Sequence, residues 1–331
     1  MTGLLRKGLG ASDMPEPLDT DGVNLYALVA REARIAVVFR RGPARRTQVL
    51  LWRLDTDTVE SGQWFKGRIY ERRCDLSADG TLLALFCASF RKPLFSWTAI
   101  TRPPYVAPLA LWPKGDCWGG GGLFDGGVLK LNHGSGAAGD PQESGLKLDP
   151  AFRLPAHLSM QPLPMPLGQG LGRGEDDPIR VLRMERDGWQ WIGAKPGPHI
   201  RQTKSNVYQV FDKPFVARRA IGGHQSGPLF LQLQHHAIAE NQGRWYLETA
   251  QIVDGENRAL FDLGRVDFAD LDPNGDVLYG TKGWLCRLPL AQWTRDEQGQ
   301  SDSAPKPLRV ADLNGERFEI VSVPQRAKVW P

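Results

Sequence analysis

Three observations on the 331-residue chain predict an all-β fold. Short apolar runs of strand length recur from one end to the other, tight-turn dipeptides separate them, and the composition favours turns and large rings over long helices. Thirty-seven glycines, twenty-five prolines and eleven tryptophans carry the third point.

The runs, in order, are RIAVVFR (34 to 40), TQVLLWRL (47 to 54), TLLALFCAS (81 to 89), PLALW (108 to 112), GVLKLN (127 to 132), IRVLRM (179 to 184), PLFLQLQ (228 to 234), RWYLETAQIV (244 to 253) and WLCRLPL (284 to 290). Each is five to ten residues rich in β-branched, aromatic or long apolar side chains, the material of a buried or half-buried strand. Turn signals fall between them at Asp21-Gly22, Asp79-Gly80, Asp187-Gly188, Gln242-Gly243, Asp254-Gly255, Asn274-Gly275 and Asn314-Gly315. Only LYALVAREARIAVV (25 to 38) could start as an amphipathic helix. Residues 133 to 178 break the rhythm with a long Gly/Pro-rich stretch, read as an insertion because the same rhythm resumes after it, and 294 to 307 read as a polar surface loop.

One phrase occurs twice. CDLSADGTLLAL (74 to 85) aligns with ADLDPNGDVLYG (269 to 280) at a constant offset: Asp75-Leu76 on Asp270-Leu271, Asp79-Gly80 on Asn274-Gly275, Leu82-Leu83 on Val277-Leu278. In this phrase, and in its strand-and-turn rhythm, the chain resembles the WD40-like β-propellers. The resemblance implies one propeller domain over residues 1 to 331, with roughly five to seven irregular blades of about 40 to 50 residues each. No Trp-Asp closes a blade, so a large β-sandwich stays open as the alternative.

The stretch WPKGDCWGGGGLFDGG (112 to 127) is the strongest candidate for a site. Glycine lets a backbone approach a phosphate closely, but a Walker loop needs Lys-Ser or Lys-Thr after its last glycine, and a dinucleotide fingerprint needs a helix there. Here Lys114 precedes the run and GVLKLN follows it. Two readings remain: a sharp bend under Trp112 or Trp118, or a loop in which Lys114, Asp116, Trp118, Gly119, Gly120, Gly121 and Gly122 contact a ligand or partner. Arg40, Arg41, Arg45 and Arg46 straddle Gly42-Pro43; they read as a solvated hairpin tip or as a basic face able to neutralise phosphates.

Other candidates carry less. DLDPNGD (270 to 276) imitates the start of an EF-hand, but the twelfth position is Thr281 and not Glu, so Asx-turn chemistry is the better account and no metal is expected. His235 and His236, adjacent in a strand run, point to opposite faces. His133, His157, His199 and His224 fall in loops, and Glu175-Asp176-Asp177 form an acidic knot before Pro178. Cys74, Cys87, Cys117 and Cys286 form no Cys-x-x-Cys pair and read as small buried hydrophobes.

Hydrophobic content of 41%, charged content of 24% and a net charge of +4 are ordinary for a globular protein. The first residues lack an apolar core and no run reaches spanning length, so the expected location is cytoplasmic and no membrane partner is expected. The expected role is a non-catalytic binding or scaffold module of a bacterial multi-component assembly, with another protein as partner and no cofactor. A hydrolase with a carboxylate/histidine site at a propeller channel, or a nucleic-acid-associated subunit using the basic face, are the alternatives.

Overall fold

The computed structural model describes residues 22–42, 46–117, 119–133, 146–163, 179–193, 208–222, 228–239, 246–290, 293 and 304–331. Of these, 52% lie in strands, and there is one α-helix. The strands form five sheets, each assembled mainly from strands consecutive in the chain, and none closes on itself. Pairing is antiparallel except where β11 meets β12.

The first sheet is the meander β1 (Asn24–Val29), β2 (Ile35–Arg41), β3 (Arg46–Arg53) and β4 (Thr58–Lys66). The second has β7 (Leu83–Ala88), β8 (Ser96–Thr101) and β9 (Pro108–Pro113). Its edge is built from two short strands, β5 (Arg68–Ile69) and β6 (Asp75–Leu76), separated by a 3₁₀ turn at Glu71–Arg73. The third contains β10 (Gly122–Asp125), β11 (Val128–Leu131) and β12 (Ser159–Pro162), and the α-helix α1 (Ile179–Arg186) follows it. The fourth runs β13 (Trp189–Ile192), β14 (Tyr208–Ile221), β15 (Leu229–Ala239), β16 (Tyr246–Asp254), β17 (Ala259–Val266), and the fifth β18 (Phe268–Leu271), β19 (Val277–Thr281), β20 (Trp284–Leu288), β21 (Leu308–Asp312).

The chain divides into two compact units, one of residues 1–25 and 188–314, the other of 26–187 and 315–331. Within the second, period-two alternation sorts side chains to opposite sheet faces. Val37, Phe39, Val49 and Leu51 of the first sheet share one apolar cluster with Leu83, Leu85 and Cys87 of the second. Ala84, Ile100, Ala110 and Trp112, on the opposite face of the second sheet, share another with Phe124, Leu129 and Leu131 of the third. The second sheet is therefore covered on both faces, and all six residues of β7 are buried. That explains its unbroken apolar run, since a strand with no wet face needs no polar alternation.

Two expectations are corrected. Residues 25 to 38 form β1, a bend and β2 rather than a helix: Leu54 and Ala30 close the bend with backbone bonds to Arg34 and Ile35. IRVLRM is the start of α1, not a strand; Ile179, Arg180, Arg183 and Met184 are buried, at helical and not alternating spacing. The stretch 133 to 178 is also less irregular than expected. Among its described residues β12 pairs parallel with β11, while Leu146, Leu148, Leu154 and Leu158 join the cluster around Trp112.

The repeated phrase forms two matching hairpins, β6–β7 and β18–β19. Gly80 and Gly275 both take positive φ, +74° and +89°, and their N–H groups bond the carbonyls of Ser77 and Asp272. The first turn is one residue longer: Ser77 bonds Leu82, whereas Asp272 bonds Asp276.

Candidate functional site

The loop from β9 to β10 begins where Lys114 and Gly115 both donate backbone N–H to the Ser96 carbonyl, at 2.9 and 3.3 Å. Ser96 Oγ donates to the Asp116 carbonyl. Lys114 Nζ bonds both carboxylate oxygens of Asp116, at 2.8 and 2.9 Å; the lysine side chain is only 5% exposed and the aspartate 49%. The pair clamps the start of the loop and turns a carboxylate, not an ammonium, toward solvent.

The glycines then make a bend that other residues cannot. Gly119, Gly120 and Gly121 have φ of +72°, +89° and +86°. A Cβ on Gly120 would lie 2.2 Å from the Phe86 ring, and one on Gly121 would lie 2.1 Å from the Arg73 carbonyl oxygen. The ring met at Gly120 is thus Phe86 rather than Trp112; Trp118, the other ring expected there, lies outside the described residues. Gly120 donates to the Asn132 carbonyl at 2.7 Å, Asn132 donates back to Gly121 at 2.9 Å, and the Gly121 N–H goes to Thr98 Oγ1 at 3.0 Å. These amides are engaged within the protein, unlike the outward-pointing N–H groups of an anion cradle.

Beneath the bend lies Arg73, 1% exposed. Its Nη1 donates to the carbonyls of Cys117, at 2.9 Å, and Gly119, and its guanidinium sits over Tyr70 (4.5 Å) and Phe86 (5.4 Å). On the other side Thr98 Oγ1 lies 2.7 Å from Nε2 of His133, which is buried. Carbonyls and ring faces thus hold this buried cation in place.

A second arginine group fixes α1. Arg186 bonds both oxygens of Asp75, at 2.6 and 2.9 Å, together with Asp187 and the Phe124 carbonyl. Asp75 also accepts the Phe124 N–H at 2.7 Å. Burial works against the Arg186 cation, but its bonds to Asp75 and then Asp187 outweigh it and raise its pKa above the ordinary value. Arg183 donates to the carbonyls of Arg72 and Cys74 and to the Tyr26 hydroxyl. Neither Arg73 nor the arginines of α1 were expected in this role from the sequence. The signals were there, however: Arg72-Arg73 between Tyr70 and Cys74, and arginines at 180, 183 and 186, three residues apart on one helical face.

The basic hairpin is corrected in part. Arg40 is 1% exposed, donates to the carbonyls of Gly42 and Glu316 at 3.0 and 3.1 Å, and lies over Trp64. Burial holds its pKa below the ordinary value, against Glu316. Arg46 covers the Phe318 ring at 4.0 Å. Both stems are used in packing; Arg41 is half-buried and Arg45 lies outside the described residues.

The acids of DLDPNGD are held by protein groups. Asp272 accepts the N–H groups of Asn274 and Asp276 and the guanidinium of Arg287, Asp276 accepts Arg287 and the Leu290 N–H, and Asp270 pairs with Arg219. On β15, His235 Nδ1 lies 2.5 Å from Glu248 and His236 Nε2 lies 2.8 Å from Thr249, successive residues of β16 that alternate across the sheet. Cys74, Cys87 and Cys286 are buried, Cys117 is half-buried, and all four are free thiols. His199, His224 and Glu175-Asp176-Asp177 lie outside the described residues. No group of three or more metal-ligating side chains occurs among the described residues.

Comparison of the chain with protein-family models, with curated proteins and with solved structures found no match.

Proposed function

We propose that the chain is a propeller-like, non-catalytic scaffold module that binds another protein through its β9–β10 loop. The observation that carries this reading is the glycine loop itself. Lys114, Ser96, Thr98, Arg73 and His133 are bonded to the loop or to one another, a set that stiffens a presented surface instead of poising a nucleophile and base. The outward group is the half-exposed Asp116. Rigid loops on a β scaffold are the usual place for recognition.

The propeller part of the reading draws on topology. Blades are antiparallel meanders stacked face to face in chain order; the first two sheets are antiparallel and share an apolar cluster, and the third shares another with the second, although β12 joins it in parallel. Five sheets would make five blades, the fewest the resemblance implies.

The test is recovery of the tagged chain from its native host, followed by sizing and cross-linking. A stoichiometric protein partner that Asp116→Asn releases is the expected result, with stability lowered by about 1–3 kcal/mol because asparagine keeps an acceptor but removes the counter-charge of a lysine that is only 5% exposed. Migration at the chain's own mass in the host extract overturns the scaffold reading; a partner retained by the variant moves the site elsewhere.

One observation favours the hydrolase alternative. A carboxylate on Nδ1 of a buried histidine is the orienting half of a catalytic pair, and His235–Glu248 has that form beside the Trp191 ring, 5.7 Å away. Hydrolysis of an aryl ester that disappears in a folded His235→Gln variant supports it, and equal rates in both proteins dismiss it.

A further inference from the structure

The turn joining β7 to β8, Ser89-Phe90-Arg91-Lys92-Pro93-Leu94-Phe95, carries its apolar side chains outward. Phe90 is 52% exposed and Phe95 36%, their rings edge to face with centroids 5.5 Å apart. Both have positive φ, +57° and +54°, a region bulky side chains avoid. The turn holds them there: Ser89 and Phe90 donate to the Phe95 carbonyl at 2.9 and 3.1 Å, Phe95 donates to that of Arg91 at 2.8 Å, and the Arg91 N–H goes to Ser89 Oγ at 3.2 Å. Strain retained at an exposed tip, with two rings kept out of the core, needs a use.

Charge narrows that use. Between Asp79 and Asp116 there is no acidic residue, while Arg91 and Lys92, both exposed, sit between the two rings. The tip therefore combines an apolar apex with two exposed cations, and Asp116, on the loop bonded to Ser96, is paired with Lys114. It offers little directional hydrogen bonding, because the amides named above are used within the turn and Ser89 Oγ is bonded to Arg91. A protein interface reads polar direction as well as apolar shape. A bilayer surface asks only for side chains that enter the acyl boundary and cations that meet headgroup phosphates.

We propose that this tip is an interfacial contact for an anionic bilayer surface. The chain has no described helix able to cross a membrane, which bears on spanning and not on surface contact. Surface contact of this kind does not depend on the scaffold reading.

Sedimentation of the full chain with vesicles tests it, comparing pure phosphatidylcholine with a mixture containing about 30% phosphatidylserine. Binding to the anionic vesicles alone is expected, weakening as salt rises. Arg91→Gln with Lys92→Gln should weaken it about 25-fold, at about fivefold per cation. Phe90→Gly with Phe95→Gly should abolish it while leaving the unfolding midpoint unchanged or higher, because glycine adopts positive φ without strain. That pair keeps a folding defect from imitating the result. Failure of the wild-type chain to bind anionic vesicles, or undiminished binding by the glycine pair, overturns the proposal. So does a soluble poly-glutamate peptide that binds the tip as tightly as the vesicles, which would assign it to an acidic protein.

Discussion

Gly115 and Gly120 lie five residues apart in one loop, both at positive φ, yet they meet different surroundings. A Cβ at Gly115 has nothing within 4 Å, whereas at Gly120 it enters the Phe86 ring. Gly115→Ala should therefore cost only the left-handed backbone term, about 1 kcal/mol. Gly120→Ala adds overpacking against a fully buried ring and should cost about 3 kcal/mol. Denaturant unfolding of the two variants reads the difference; equal losses would mean that the ring does not set the bend. His236 supplies a pH test at the same scale. Burial holds its imidazole below 6.5, against Glu248, which raises it, and together with Arg265. The unfolded chain then takes up the proton first, so stability is full above about pH 6.5 and falls as pH drops through it. His236→Gln should flatten that part of a stability profile taken between about pH 8 and pH 5.5, leaving the carboxylate losses at lower pH in place.

Helix α1 is held by an ion pair as well as by the burial of Ile179 and Met184. Asp75 is 1% exposed and Arg186 20%. Asp75→Asn keeps an acceptor for Phe124 but leaves the guanidinium without its main counter-charge, so a loss of about 3 kcal/mol is expected, with hydrogen exchange rising first in residues 179–186. If those amides stay protected, Arg183 and the buried Ile179 and Met184 hold the helix without the pair. This element also marks a limit of the sequence. Strands such as RIAVVFR and TLLALFCAS were legible because burial on one or both faces leaves an apolar string, and the two hairpins were legible because Asx and glycine chemistry is local. The face that α1 buries contains arginines, so a search for apolar periodicity reads through it. The glycine bend was legible as a bend; its ring, Phe86, is 34 residues from Gly120 and no local pattern could name it.

At the scale of the whole chain, residues 315–331 belong with residues 26–187 although they follow β21 directly. Strand rhythm fell silent here, since the segment joins no ladder and carries a 3₁₀ turn at Gln325–Lys328, and its attachments are made to side chains distant in sequence. Phe318 lies under Arg46 and edge-on to Trp64, the Glu316 carbonyl takes the buried Arg40, Gln63 donates to the Val321 carbonyl at 3.2 Å, and Arg102 to that of Arg326 at 3.0 Å. Trp330 packs on the cluster around Trp112. Ending the chain at Asn314 would leave Arg40 buried without one of its carbonyls, about 1–3 kcal/mol for that donor alone, and would uncover Trp64 and part of the Trp112 cluster. A total loss of at least about 3 kcal/mol is expected, and hydrogen exchange should rise first in β2 to β4 and in β8 and β9, the strands the tail touches. Restoring Gly315 to Phe318 alone should recover protection in β2 to β4 and not in β8 and β9, because those four residues carry the contacts to Arg40, Arg46 and Trp64 but not those to Arg102 and the Trp112 cluster. Uniform protection in the shortened chain would show that the tail lies on the surface without holding it.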